Sequence, residues 1–294
     1  MKRLILFLMF SAVNITLSFS VYAAPIVTDG LVSYWTFDRL DIKDGFAEDV
    51  WGENDAKIKG NPILVNGHRK YGLKFDGDGD YVILKDTGNF GKQQGPSTFE
   101  VWLKTSEKRI WSTIYTTVEQ PCDEIDEGNG ILINAYWDPP EADLHTKKDY
   151  ILIKFQRRSN GKNCGGYSSH STKFPISDGQ WHHFVFVHGF RIKHVTGLEL
   201  EETVLYIDSI PIRRIRFKVS NPITTIPYTQ PVFLGAINNN GKAQSFYYGI
   251  FDEVRIYNRA LSQDEVTRNF KSTTGLAVKL THKLSTVWGA LKQK

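Results

Sequence analysis

Apolar and polar residues alternate with a period of two through most of this chain, and helical spacing is nearly absent before Ser262. In residues 97–104, Phe99, Val101 and Leu103 fall on one side while Glu100, Trp102 and Lys104 take the other. Residues 31–37 group Leu31, Ser33, Trp35 and Phe37 in the same way. Residues 71–75 and 81–84 flank Asp76-Gly77-Asp78-Gly79-Asp80, and such dipeptides predict a tight hairpin with solvated carboxylates. Further strands are predicted at 109–118, 131–136, 150–155, 180–187, 203–207, 212–219 and 231–235. The ribbon 249–257 puts Ile250, Asp252, Val254 and Ile256 on one side, with Phe251, Glu253, Arg255 and Tyr257 opposite. A short helix follows, because Ser262 and Glu265 have the spacing of a capping box. Many short strands with turn residues between them predict an all-β antiparallel sandwich or barrel with one short C-terminal helix. No period of 20–50 residues runs through the chain, which argues against a repeat array.

The ends carry different signals. Lys2 and Arg3, an apolar run over residues 4–13 and the exit Val21-Tyr22-Ala23 read as a secretory signal peptide, residues 1–23, cut after Ala23 or Ala24. An uncleaved anchor is the alternative. The domain then occupies residues 24–270, and residues 271–294 form a lysine-rich tail without acidic residues. Export to the periplasm or the exterior is expected, with no membrane span after cleavage. Removing Lys2 and Arg3 lowers the formal charge from +4 to +2, so bulk charge selects no nucleic acid or other partner. Cys122 and Cys164 lie in polar, loop-like sequence; in an exported chain the even count predicts one disulfide between them. No cysteine–histidine spacing suits zinc.

Five segments, in order, resemble laminin-G-like jelly-roll domains of the concanavalin A-like superfamily. They are 30–38, with Trp35 and Asp38; 73–82; 99–104; Trp181-His182-His183 with its continuation, together with Leu205-Tyr206-Ile207-Asp208; and the closing ribbon and helix. The resemblance implies a two-sheet antiparallel jelly-roll sandwich that binds sugars, glycosaminoglycans, proteins or steroids through variable loops. It also implies a structural calcium ion near Asp38 and Asp252, completed by backbone carbonyls; otherwise Asp252 accepts a backbone hydrogen bond. His182 and His183 are implied to be structural, on opposite faces of one strand. Three departures stand out. Ser209 replaces the usual glycine after Asp208, so a rebuilt turn is expected there. Residues 138–149 and 188–202 are longer or more polar than the family core needs, and they are expected as binding loops.

Chemistry is sparse. The acidic loop 123–127 places Glu124 and Asp126 like the first two carboxylates of a glucanase strand, but Gly128 occupies the third position, so a two-carboxylate mechanism lacks a partner. Asp76 to Asp80 fails as an EF-hand, with Tyr81 where glycine is needed. The expectation is a non-catalytic module binding an extracellular carbohydrate or protein. A hydrolase or lyase on the same fold and an adhesive surface protein are the alternatives. Arg214, Arg216 and Lys218 line one face of a predicted strand and are the candidate ligand-binding residues. That face reads first as a solvated sheet surface, and otherwise as a holder of sulfated or carboxylated polysaccharide. Trp51, Trp111, Tyr136 and Trp137 could stack on sugar, though core positions account for most aromatics here.

Overall fold

The computed structural model describes residues 25–85, 87–88, 95–106, 112–116, 130–133, 150–159, 163–193, 195–218, 231–239 and 241–274. In chain order the strands begin with β1 (Leu31–Trp35), β2 (Ile42–Lys43), β3 (Phe46–Ala47), β4 (Ala56–Lys59), β5 (Ile63–Asn66), β6 (Tyr71–Asp76) and β7 (Tyr81–Leu84). They continue with β8 (Ser97–Lys104), β9 (Ser112–Thr116), β10 (Gly130–Ile133), β11 (Tyr150–Ser159), β12 (Asn163–Lys173) and β13 (Trp181–Lys193). The last are β14 (Glu199–Ile207), β15 (Ile210–Lys218), β16 (Val232–Leu234), β17 (Ile237–Asn239), β18 (Lys242–Gln244) and β19 (Tyr248–Tyr257), followed by helix α1 (Gln263–Lys271).

One sheet runs β15-β14-β13-β8-β19-β6-β5, with β1 also paired to β19; the other runs β12-β11-β10-β9-β16-β7-β4-β3-β2. Neighbours are antiparallel. The inward residues of the first sheet, Phe99, Val101, Leu103, Phe184 and Phe251, share one buried cluster with Val82, Leu84, Ile114 and Leu234 of the second. This is the antiparallel sandwich that alternation predicts, in the two-sheet jelly-roll form that the resemblance implies, held by the interdigitated inner faces of both sheets. It lies within the compact unit Val27–Phe270. Trp35 pairs in register with Val254, so the opening and closing ribbons are neighbours.

Several expectations need correction. The segment after Asp76 does not close a hairpin: β6 and β7 belong to different sheets, and the turn carries the chain across the sandwich. Asp80 is accordingly buried rather than solvated, accepting from the backbone of Asn61 (2.7 Å) and Asp76 (3.1 Å). Much of the expected loop 188–202 is strand, because β13 and β14 continue as a long hairpin. Its register sets Arg191 opposite Glu201 and Lys193 opposite Glu199. Cys164 likewise lies in β12, opposite Arg158, rather than in a loop. Cys122 falls outside the described residues, as do the loops 123–127 and 138–149 and the aromatics Trp111, Tyr136 and Trp137.

The turn at Asp208-Ser209 is not rebuilt. Both residues adopt left-handed φ angles, 52° and 65°, and β15 starts at once. This geometry normally wants glycine, and hydrogen bonds hold it here instead. Asp208 Oδ1 accepts from the His183 backbone at 2.8 Å, Asp208 N donates to His183 O at 2.9 Å, and Gln263 Nε2 of α1 donates to Ser209 O at 2.6 Å.

The same turn anchors a histidine. His182 Nδ1 lies 2.8 Å from Asp208 Oδ2 and its Nε2 lies 3.1 Å from Asp178 Oδ1. The hydrogen bond with Asp208 raises the His182 pKa against the opposing effect of burial, and Asp178 adds to the rise. A histidine pKa above its unfolded value contributes stability fully below about pH 6.5, and loses it as pH climbs through the raised value. The unfolding midpoint of the wild type should therefore fall above neutral pH, and His182→Asn should flatten that part of the profile. Identical pH profiles for the two proteins would remove this role.

Candidate functional site

The end of the first sheet around β19 gathers most of the buried charge among the described residues. Alternation fails there. Phe251, Val254 and Ile256 enter the core, so Asp252 and Glu253 both turn to the outer face. The cause is a bulge: the register against β8 slips between Asp252 and Arg255, and Glu253 sits in it with φ 55°. Glu253 Oε2 then accepts from Arg69 (3.0 Å), from Arg255 (2.7 Å) and from the Tyr34 hydroxyl. Glu100, one strand away, pairs with Arg255 and accepts from Asn269 of α1 at 3.1 and 3.0 Å. Burial alone would raise the Glu100 pKa, but the Arg255 guanidinium, with His183 and Asn269 beside it, holds the carboxyl down at about 2.

Asp38 and Asp252, the two residues expected at the calcium site, both accept hydrogen bonds from the turn 69–71. Lys70 Nζ donates to Asp38 Oδ2 at 2.7 Å and the Tyr71 backbone to Asp38 Oδ1 at 3.2 Å; the Arg69 backbone donates to Asp252 Oδ2 at 2.8 Å. Asp252 Oδ1 is buried without a hydrogen-bond partner. Burial, with Glu253 and then Asp38 nearby, pushes the Asp252 carboxyl well above the usual carboxylate range. Gly67 approaches so closely that a Cβ there would stand 2.6 Å from Asp252 Oδ2. An orphaned buried oxygen, hard donors and a glycine that leaves room fit calcium chemistry. Among the described residues no three acidic, histidine or cysteine side chains gather as a metal set. Backbone carbonyls and water would have to complete the shell.

An aromatic group adjoins this turn. His68, between Gly67 and Arg69, lies flat on the Trp102 indole, with centroids 3.5 Å apart and planes 8° from parallel. Trp181 meets His68 edge-on at 5.9 Å, and His183 and Phe270 stack on Trp102 at 5.0 and 5.6 Å. Burial, aided by Arg69, lowers the His68 pKa to about 4, so the ring is neutral at physiological pH. His182 and His183 take opposite faces as expected, with Phe174 edge-on to the former at 5.6 Å. Trp51 proves structural: its indole donates to Leu31 O at 2.9 Å.

Arg214 and Arg216 lie on edge strand β15, and both are tied to Glu202 of β14, at 2.9 and 2.8 Å. The sequence pattern hid this acidic partner. The backbone of Lys218 ends the strand. The capping box is present: Ser262 N donates to Glu265 Oε2 (2.8 Å) and Glu265 N to Ser262 Oγ (3.3 Å).

A profile of the concanavalin A-like lectin/glucanases superfamily, of laminin-G type, matches residues 76–267. The chain belongs to this superfamily. No curated protein matches the chain. Among solved structures, this superfamily member is similar to domain 4 of AbnA, a GH43 extracellular arabinanase from Geobacillus stearothermophilus, solved with arabinotriose. Identity is 17% and the TM-score 0.50, over 82% of this chain and 98% of that one. The binding domain of Paraclostridial Mosquitocidal Protein 1 aligns at 16% identity and TM-score 0.52, covering 82% of this chain and 52% of that one. A Trypanosoma rangeli sialidase aligns at 17% identity and TM-score 0.54, covering 84% of this chain but only 33% of that one. At such identities the likeness is one of fold, which binding domains and hydrolases both use. Among the described residues no helix is long and apolar enough to cross a membrane.

Proposed function

We infer that the chain is an exported, non-catalytic module that binds an extracellular glycan carrying acidic groups. The observation that carries this is the pair Arg214 and Arg216, whose side chains are 46% and 56% exposed while buried Glu202 anchors both. One carboxylate holding two guanidiniums leaves one positive charge over, and donors of each planar fork remain for a sulfate or carboxylate. Arginines already fixed in place lose less side-chain freedom on binding. Lys218 extends the basic row along the same strand.

Calcium is the second part of the reading. Held by Asp38 and Asp252, it would satisfy Asp252 Oδ1, take over from Lys70 as the cation beside Asp38, and stiffen the turn 67–71. The non-catalytic reading is supported by the engagement of Glu100, Glu202, Glu253 and Glu265 with arginines, which leaves these carboxylates poorly suited to proton transfer.

Retention on heparin and on polygalacturonate tests the glycan reading. The double substitution Arg214→Ala with Arg216→Ala should weaken retention at least about tenfold, as expected for charge-assisted contacts, and moderate salt should do the same to the wild type. Equal retention of the double variant would defeat the reading. New reducing ends during incubation would move the chain to the hydrolases or lyases instead.

A further inference from the structure

One face of Trp102 is covered by a side chain that stacking alone holds. The His68 ring lies on the indole at 3.5 Å, and among the described residues no hydrogen bond reaches its nitrogens. The turn beneath it is fixed through its backbone instead, by Gly67 N to Lys70 O (3.1 Å) and Arg69 N to Asp252 Oδ2 (2.8 Å). Rotating the His68 side chain away therefore breaks no hydrogen bond and leaves the turn in place. His68 and Trp181 are both part-exposed, whereas Trp102 is only 4% exposed.

A second observation points to a ligand. Trp102 Nε1 is buried with no acceptor. Buried N–H groups nearly always have a partner, and an exception calls for an explanation. An indole face, an edge-on aromatic wall and an unanswered donor together match the chemistry of a sugar ring. The C–H face of one unit packs on the π surface, and a hydroxyl of the adjoining unit, reaching the edge of the indole in its own plane, is the acceptor that the N–H lacks.

We propose that Trp102 and Trp181 form a stacking subsite for one ring of a neutral oligosaccharide, and that His68 is its displaceable cover. The subsite is separate from the arginine pair, since β13 and β14 lie between β8 and β15. It takes a different ligand chemistry, so the two proposals fail independently.

Calorimetric titration of the full chain with arabinotriose, xylotriose and cellotriose tests it, comparing wild type, His68→Ala and Trp181→Ala. Losing the cover should return the energy of one aromatic pair to the ligand. His68→Ala should therefore bind at least one trisaccharide about 2- to 12-fold more tightly than the wild type. Trp181→Ala should bind the same sugar more weakly, with an unchanged thermal midpoint showing that it folds. Acrylamide quenching of tryptophan fluorescence should also rise in His68→Ala. The proposal is overturned if His68→Ala binds none of the three, or binds them no better than the wild type. A gain confined to an aromatic peptide, tested in parallel, would also overturn it. Unaltered heparin retention in these variants would show that the arginine reading survives either way.

Discussion

Replacing Glu100 by alanine is expected to destabilise the fold by about 3 kcal/mol, read as a lower urea midpoint at unchanged slope. Arg255 is fully buried, and Glu100 and Glu253 are the two carboxylates paired with it. Deleting one partner of a buried pair typically costs about 3–5 kcal/mol because a desolvated charge is stranded. The lower end applies here, since Glu253 remains 2.7 Å from the guanidinium. The amide of Asn269 would lose its acceptors at the same time, loosening α1. Substituting both members, Glu100→Met with Arg255→Met, should recover a large part of the loss, because no guanidinium is then stranded and Glu253 keeps its pairing with Arg69 at 3.0 Å. A single variant as stable as wild type would mean that water reaches Arg255. The depressed Glu100 pKa adds an acid limb. Its contribution is complete above the ordinary glutamate value near 4.3 and disappears as pH falls towards about 2.

Calcium at about 10 mM is expected to raise the thermal midpoint of the wild type, and EDTA to reverse the shift. Extracellular calcium modules bind with dissociation constants of about 0.1–1 mM, which at that concentration corresponds to roughly 1.4–2.7 kcal/mol of linked stabilisation. For a domain of this size that is a rise of several degrees. Asp252→Asn should abolish the shift, because a neutral amide leaves Asp38 as the lone acidic ligand. Magnesium at the same concentration should do less, since it wants a tighter octahedral shell than a pair of carboxylates beside one turn supplies. A midpoint indifferent to both calcium and EDTA would exclude the ion from this turn.

How much could be read in advance depended on whether a segment's own period decided its structure. In β8, Phe99, Val101 and Leu103 point inward as alternation requires, and Ser262 with Glu265 caps α1 as their spacing requires. Each answer lay within a few residues of chain. In β19 the period was misleading past Asp252, because the bulge at Glu253 puts two successive acids on one face. That bulge serves Arg69, Arg255 and Tyr34, which no local pattern connects to it. Asp76 to Asp80 has the composition of a hairpin turn, yet tertiary pairing assigns its two flanking strands to different sheets. The Asp38–Asp252 pair was reached through family likeness, whereas the His68 stack has no signal in the sequence, since its partner Trp102 lies in another element.

The seam between β1 and β19 has a consequence for synthesis. Leu31 finds its register opposite Tyr257, so a ribosome must deliver the chain through that residue before the opening strand can dock. Contacts so distant along the chain make closure slow. A nascent molecule therefore stays unclosed, with Trp35 unshielded, until its final ribbon emerges. Such a chain depends on escort during that interval.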